Sequence, residues 1–422
     1  MHILLWHGYL LGGTGSNVYT RSLARAWRRL GHEVTVFSQE PHPELFDLAG
    51  ATVIRPDLRG GPLPVFVLDR YADLKARYLH DLAPEERQRF VELNAAAVRE
   101  HLPADFLLVN HVLLGAPVGA EVGMPFSVKA HGSELEFSIR GNPELTAWAR
   151  ATLGDAREIL AGSDHTLRVL EEVVGPGAYL ERVRVVPPGV DVDEFRPEPR
   201  AAALEALVEE SRRDPPNRGN ERLPDDGNAD RLAGFLAADE PIVAYVGKLS
   251  QEKGVHLLLH ALSRLAEAKA VIVGFGPARG ELEALASSLF GGAAERRVLF
   301  TGPLEHRHLG HLLPLARVSV TPSVFPEAFG MVAAEAAACG SPPLVARHSG
   351  LAEIAAALEA EYPQRHRTLA SFTNGDIHDF ANKLGAIVAL AESDWQELSR
   401  AARRAVVERW SWERIAGSIL SL

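Results

Sequence analysis

The chain has 422 residues, 46% of them hydrophobic and 23% charged, with 55 acidic against 44 basic side chains for a net charge of −11. That length exceeds one ordinary core and points to two domains of roughly 200 residues each. The acidic balance argues against general nucleic-acid binding, and a single cysteine, Cys339, excludes an internal disulfide and a cysteine-built metal site and fits a reducing cytoplasm. No run approaches the ~20 apolar residues of a membrane-spanning helix. The opening MHILLWHGYLLGG reads as a strand and loop rather than a signal peptide.

In chain order, His2 to Trp6 is an apolar strand, followed by a glycine-rich loop from Gly8 to Ser16. Val18, Leu23, Trp27 and Leu30 then recur at helical spacing, with Gly31 as the stop, and Glu33 to Phe37 is the next strand. This β–loop–α–β unit opens a doubly wound sheet. The Gly12-Gly13-Thr14-Gly15 loop lacks the full G-x-G-x-x-G spacing, so its signal for a dinucleotide is weak. An NAD site would also need an acidic residue after the second strand, where Glu40 stands. The first helix carries Arg21, Arg25, Arg28 and Arg29, read as a solvated face, with peripheral membrane contact as the alternative.

Residues 41–80 read as irregular, with prolines at 41, 43, 56, 62 and 64. A helix from Pro84 to His101 and a strand from Phe106 to Asn110 follow. A strand from Phe126 to Ala130 runs into His131-Gly132-Ser133-Glu134, and Ile159 to Ser163 and Val183 to Pro187 are further strands. A hinge is expected at Pro188-Gly189-Val190-Asp191. Between 208 and 231 the only apolar residues are Val208, Leu223 and Ala229, which predicts a mobile insertion.

The second half repeats the alternation. The strand Ile242 to Val246 leads into a loop holding Lys248 and Lys253 between Gly247 and Gly254. After a helix from Val255 to Ala266, the strand Ala270 to Val273 ends in Gly274-Phe275-Gly276-Pro277, and Val298 to Phe300 ends in Thr301-Gly302-Pro303-Leu304. His306, His308 and His311 lie on a helix start without a cysteine or carboxylate to complete a metal site, and are read as ordinary helix residues.

A strand from Arg317 to Thr321 then meets a helix expected from Ala328 to Gly340. Glu327 and Glu335 stand eight residues apart, about two turns. The first turn of a helix leaves its N–H groups unpaired, which here offers Phe329, Gly330 and Met331 to an anion. An anion cradle flanked by two acceptor carboxylates suits a molecule with both phosphate and hydroxyls, such as a nucleotide sugar. The strand Pro343 to Ala346 and helices 351–357, 376–391, 395–410 and 412–420 complete the chain.

The string Glu327, Phe329-Gly330, Glu335-Ala336, Cys339-Gly340 and Pro342 resembles the E-x7-E signature of retaining glycosyltransferase family 4. Pro188-Gly189-Val190-Asp191 is similar to that family's PNGVD segment, with Pro188 for asparagine. Ser349-Gly350-Leu351-Ala352-Glu353 is similar to its GG-x-x-E, with Ser349 for the first glycine. The resemblance covers nearly the whole chain and is strongest from Val243 to Glu353. It implies an α/β protein of the GT-B fold, two Rossmann-like doubly wound domains facing across a cleft. The expected division is 1–187 for the acceptor and 188–405 for the nucleotide sugar. Residues 406–422 would then form a helix crossing back, anchored by Trp410 and Trp412.

The implied activity is retaining transfer of a sugar, a hexosyl group, from a nucleotide-diphosphate sugar to a hydroxyl acceptor. By the same resemblance, His131 lies beside the transferred sugar, and Lys248 and Lys253 grip the diphosphate, Lys248 standing where arginine is usual. Glu327 and the N–H groups of Phe329, Gly330 and Met331 hold the sugar, and Glu335 takes the ribose hydroxyls. Gly12 and Gly13 approach the diphosphate, Gly274 and Leu304 belong to the donor strip where backbone meets the nucleobase, and Glu134 meets the acceptor. No cofactor and no metal are expected, because two lysines and a helix N-terminus already face the diphosphate. A UDP-sugar is expected ahead of a GDP- or ADP-sugar. The rival readings are a GT-B epimerase or inverting transferase, an NAD-dependent dehydrogenase, and a non-catalytic nucleotide-sugar sensor.

Overall fold

The structure is a computed structural model that describes residues 1–66 and 74–421. It divides into two compact units: Met1–Gly189 with Trp412–Leu422, and Val190–Ser411.

Unit 1 is built on β1 (His2–Trp6), β2 (Glu33–Phe37) and β3 (Thr52–Ile54), a small ribbon of β4 (Leu63–Val65) with β5 (Ala76–Tyr78), and then β6 (Phe106–Asn110), β7 (Ser127–Lys129), β8 (Glu158–Ala161) and β9 (Val183–Val185). The main sheet has the order β3-β2-β1-β6-β7-β8-β9 and is parallel throughout. Ile3 pairs with Val34 on one side and Phe106 on the other. Buried on both faces, β1 and β6 are near-continuous apolar runs, as central parallel strands must be. Strand order reverses between β1 and β6, so the crevice of this unit opens at their carboxyl ends, above residues 7–14 and 111–115.

The helix Gly15–Arg29 turns Leu23, Ala24 and Trp27 into the core, and Trp27 Nε1 donates to Ala416 O at 3.0 Å. The last helix, Trp412–Leu420, therefore completes unit 1, and Arg184 Nη1 also reaches it at Ser418 O (2.8 Å). A Cβ on Gly189 would stand 2.5 Å from the Trp412 ring, so the chain leaves unit 1 through a contact only glycine permits. Of the two tryptophans expected to anchor this helix, Trp410 lies in unit 2, edge-on to Phe329 at 5.1 Å.

The basic face of the first helix is engaged by the protein itself. Arg21 lies over the Phe46 ring, Arg25 faces Asp47, Arg28 donates to Ala49 O and His32 O, and Arg29 is 4.0 Å from Glu413. The stretch expected to be irregular, 41–80, carries β3, β4 and β5, while residues 67–73 lie outside the described residues.

Unit 2 contains β10 (Ile242–Val246), β11 (Lys269–Val273), β12 (Val298–Phe300), β13 (Val318–Thr321), β14 (Pro343–Ala346) and β15 (Ser371–Phe372). They form one parallel sheet in the order β12-β11-β10-β13-β14-β15. Here the order reverses between β10 and β13, which places the loops holding Lys248, Lys253 and Glu327 side by side. Among the described residues, no helix is long and apolar enough to cross a membrane.

The expectation of a mobile insertion at 208–231 is corrected. Its start lies in the helix Arg200–Arg212 and its end in Asn228–Leu236. Of the apolar residues these helices bury, Ala203, Leu207, Leu232 and Leu236 lie outside the 208–231 window and only Val208 lies inside it, which is why the window alone looked unable to order itself. The stretch between the helices is held by polar bonds. Arg279 grips Asp225 with two N–H groups at 2.8 and 2.6 Å, and Asn228 Nδ2 donates to Thr301 O at 2.8 Å.

Candidate active site

In unit 2 the loops after the strands are laced together by backbone. Gly247 N donates to Val273 O, Leu249 N to Phe275 O and Gly274 N to Gly302 O, at 3.0, 2.8 and 2.9 Å. The lacing needs glycine: Gly274 has φ 142°, and a Cβ there would stand 1.8 Å from Gly247 O. Gly254 (φ 68°) lets the β10 loop approach the β13 loop, since its Cβ would meet Pro322 O at 2.0 Å. The carbonyl of Glu252 accepts from Val324 N, Phe325 N and Ser323 Oγ, so the two loops move as one. This brings Lys253 Nζ to Glu327 Oε1 at 2.5 Å. Lys248 is exposed at the loop tip, its carbonyl accepting from the buried Tyr245 hydroxyl at 2.9 Å. Burial, and secondarily the charge of Glu327, pushes that phenol well above its usual range.

The helix after Glu327 runs Met331–Ala338, three residues later than expected at its start. The reason is Gly330, which caps it at φ 114° and cannot be helical. Of the three N–H groups expected in the first turn, only that of Met331 is on the helix. Those of Phe329 and Gly330 belong to the loop leading in, where the Phe329 ring is buried.

A neighbouring turn fixes Glu327. Its N–H donates to Ser349 Oγ at 2.9 Å, and its carbonyl accepts from Gly350 N at 2.9 Å. Ser349 has φ 48°, the left-handed region, which explains a glycine in the related pattern. Serine holds that conformation here with its hydroxyl bonded to the Glu327 backbone. Gly350 remains glycine because a Cβ would lie 2.6 Å from Ala328 O.

Glu335 sits one turn further up the helix, 5% exposed, with Oε1 3.7 Å from His306 Nε2. His306 opens the helix His306–Leu312, two residues beyond Leu304. Its neighbours turn elsewhere, His308 to Asp214 (3.0 Å) and His311 to Glu198 (2.8 Å). Among the described residues, no group of His, Cys, Asp or Glu is arranged to hold a metal ion.

In unit 1 the loop after β1 turns at Gly13 (φ 92°), and Gly12 packs on Phe46. Asn17 donates to Gly12 O, and its Oδ1 lies 2.8 Å from His7 Nε2, tying the loop to the helix start. Glu40, the acid an NAD site would need, accepts from Leu11 N and His42 N instead (3.1 Å each). His131 follows β7, half-buried, with Nε2 2.8 Å from Asn110 Oδ1. Burial, then Lys129 and His7, holds its ring well below the usual pKa.

Glu134 does not stand where an acceptor could reach it. It is fully buried, and its oxygens accept from the N–H groups of Val112 (2.8 Å), Leu113 (3.1 Å) and His131 (3.1 Å). Burial raises its carboxyl to about 7 against the opposing pull of those three donors. Glu134 thus positions His131 and the turn after β6 by holding their backbones.

Sequence reasoning missed the residues around His131. His111, just after β6, is 1% exposed with φ 74°, and neither ring nitrogen has a hydrogen-bond partner among the described residues. Its ring lies 4.6 Å from that of His131 and 5.8 Å from that of His7. Burial, then His131 and His7, keeps it neutral, and burial alone lowers His7 to about 4 despite its bond to Asn17. Lys129 is buried beneath, donating to Val186 O at 2.7 Å and lowered to about 7 by desolvation. Backbone strain at a buried, unsatisfied side chain is a mark of a functional site. The signal available was position: His7 and His111 directly follow the two strands that flank the reversal of strand order.

Each unit thus places its polar groups at the carboxyl ends of the strands where order reverses. Unit 2 offers two lysines, a helix N-terminus and two carboxylates, the equipment for a diphosphate and neighbouring hydroxyls. Residues 13–194 match the model described as Glycosyltransferase Family 4, and residues 229–405 that described as Glycosyl transferases group 1. The chain belongs to the family 4 glycosyltransferases.

Among this glycosyltransferase's relatives is the D-inositol 3-phosphate glycosyltransferase of Mycobacterium tuberculosis, 26% identical over 430 residues, covering 96% of this chain and 78% of that protein. The protein of the same name from Xylanimonas cellulosilytica is 32% identical over 259 residues, covering 58% of this chain and 52% of its own length. The fold is shared with sucrose-phosphate synthase from Thermosynechococcus elongatus, at TM-score 0.69, 22% identity and coverage of 99% and 97%. It is shared equally with Anabaena HepE in complex with UDP and glucose, at TM-score 0.69, 18% identity and coverage of 99% and 98%. The fold is therefore GT-B, two Rossmann-like domains, and the enzyme is a glycosyltransferase that uses a nucleotide-sugar donor.

Proposed function

We propose that this glycosyltransferase moves a hexosyl group from a UDP-sugar to a hydroxyl acceptor with retention of configuration and without a metal ion, in the cytoplasm. The observation that carries the reading is the joined loop pair of unit 2, where Lys253 meets Glu327 at 2.5 Å beside the start of the helix Met331–Ala338. Lys253 and the exposed Lys248 meet the diphosphate, whose leaving oxygen gains negative charge as the glycosidic bond breaks, so they favour the transition state over the bound donor. Glu327 and the N–H groups that follow it hold the sugar, and Glu335 receives the ribose hydroxyls. Gly12, Gly13, Gly274 and Leu304 supply close-approaching backbone, and His131 lies beside the sugar. Its neutral imidazole, bonded to Asn110, suits a hydrogen bond to a sugar hydroxyl rather than a fixed positive charge.

Retention and the UDP donor rest on family membership and on a relative's complex with UDP and glucose. An acceptor bearing a hydroxyl is the class that family membership supports, and the inositol phosphate in the relatives' name makes polyols the first to try. The test is a thermal-shift panel of UDP-, GDP-, ADP- and TDP-sugars, followed by NMR of the product's anomeric centre. A product of inverted configuration, or an altered sugar with no acceptor consumed, overturns the reading.

A further inference from the structure

We infer that Asn110 is a positioning residue for the transfer: through a chain of hydrogen bonds it holds His131 as the tautomer protonated on Nε2, so that Nδ1 meets the sugar as an acceptor. The inference rests on the reading that His131 lies beside the sugar, and adds which nitrogen acts and what that nitrogen can bind.

The chain of bonds begins in the first helix, at a backbone carbonyl, which can only accept. Thr20 Oγ1 donates to Ser16 O at 2.8 Å, which spends its one proton and leaves its oxygen as an acceptor. Asn110 faces that oxygen with Nδ2, at 3.3 Å, and the Trp6 carbonyl stands 3.5 Å from the same nitrogen. Turned over, the amide would set its own oxygen against two acceptors, so its orientation is fixed. Asn110 Oδ1 therefore points to His131 Nε2 at 2.8 Å, and an amide oxygen there requires that Nε2 carry the proton. Asn110 is fully buried, so bulk water competes for neither end of its amide.

In a neutral ring Nδ1 is then the lone-pair nitrogen, and burial, then Lys129 and His7, keeps His131 neutral. The ring is pinned, edge-on to Tyr19 at 5.7 Å and tilted against His111 at 4.6 Å. His131 occupies the N-cap position before Gly132–Glu134, yet its side chain makes no capping bond, so Nδ1 is not spent on the helix. An acceptor nitrogen takes a hydrogen bond from a hydroxyl. To a carboxylate or phosphate oxygen it presents lone pair against lone pair. Nδ1 thus admits a neutral sugar hydroxyl and turns away an acidic group. His7 shows the same arrangement: Asn17 Nδ2 donates to Gly12 O, and Asn17 Oδ1 faces His7 Nε2 at 2.8 Å.

The experiment is long-range proton–nitrogen NMR of the full chain carrying isotope-labelled histidine, with the His131 ring assigned by its loss in His131→Gln, together with pH profiles of kcat. The intact protein should show His131 neutral and protonated on Nε2. In Asn110→Asp a carboxylate replaces the amide and draws a second proton to the ring, so Nδ1 becomes a donor. There kcat should fall about tenfold or more at about pH 6 and recover as pH rises through the His131 pKa that the carboxylate raises. Lys129 and Glu134, both shifted to about 7, border the same residue and titrate in both proteins. His7 and His111 are held neutral by burial and the Tyr19 phenol is pushed up by it, so the difference between the two profiles is the readout. A merely structural role would lower kcat equally at every pH. Thr20→Val introduces no charge and serves if Asn110→Asp does not fold: it frees the amide to turn over and should show both His131 tautomers. His131 protonated on Nδ1 in the intact protein, a loss in Asn110→Asp that is the same at every pH, or a single tautomer in Thr20→Val would overturn the role of Asn110. Full turnover by His131→Gln would instead overturn the placement of His131 beside the sugar.

Discussion

Replacing Glu327 by glutamine separates two roles that the structure joins in one carboxylate. Glu327 is the partner of Lys253, with side chains 21% and 33% exposed. A pair that accessible is worth at most about 1 kcal/mol, so freeing Lys253 should strengthen diphosphate binding by no more than about fivefold. With donor bound, Glu327 faces a sugar that gains positive charge as its bond breaks. Loss of a charged hydrogen bond there costs about 1.5–3 kcal/mol, or roughly tenfold to more than a hundredfold in kcat. The expected outcome is UDP affinity unchanged or slightly raised and turnover sharply reduced. Glu335→Gln should do the reverse, because ribose does not change during transfer and its contact is uniform between ground and transition states. Calorimetry with UDP and steady-state release of nucleoside diphosphate at saturating acceptor would read both. If Glu327→Gln bound UDP tenfold more weakly and kept full turnover, the carboxylate would belong to the nucleotide and the placement of the donor would be wrong.

Ser349→Gly should be nearly neutral in denaturant unfolding, since relief at φ 48° offsets the lost hydroxyl, whereas Ser349→Ala should cost about 1–2 kcal/mol by leaving Glu327 N–H unpaired; equal effects would contradict this. His7 is lowered to about 4 by burial, so its neutral form stabilises the fold above pH 6.5 and that contribution is lost as pH falls through 4. At about 1.36 kcal/mol per unit the loss approaches 3 kcal/mol, and His7→Asn should show a shallower fall in melting temperature between pH 6.5 and 4; an unchanged slope would count against it. Because two lysines and a helix N-terminus serve the diphosphate, turnover should persist in excess EDTA, and complete loss restored by Mg²⁺ or Mn²⁺ would refute that.

Much of the architecture was legible in the sequence. Ile242–Val246, Val298–Phe300 and Pro343–Ala346 are strands with the expected ends, because β-branched and aromatic runs there are bounded by glycine or proline. The helix after Glu327 began late because sequence spacing does not report that Gly330 is left-handed. The order within 208–231 was hidden because its anchors are hydrogen bonds to distant backbone, which leave no apolar pattern. At the site, Lys248, Lys253 and Glu327 were found because they lie within short strings near single strand ends. His7, His111 and Lys129 were not, because they gather from three strands and only the sheet order makes them neighbours. Glu134 was assigned to a ligand because a motif shows which residues travel together and not which way a side chain turns.

The return of the last helix to unit 1 has a consequence for synthesis. Unit 2, Val190–Ser411, is contiguous in sequence, and its two ends meet where Val190 N donates to Trp410 O at 2.6 Å. Unit 1 includes the helix Trp412–Leu420, where Ala416 O accepts from Trp27 Nε1, and this helix is translated only after the whole of unit 2. The half that begins the chain is therefore the second to be finished. On the ribosome its first helix must wait, with an indole uncovered, while a complete second domain folds behind it. A truncation that removes only Trp412–Leu420 should injure the amino-terminal domain and leave the carboxyl-terminal one able to bind nucleotide.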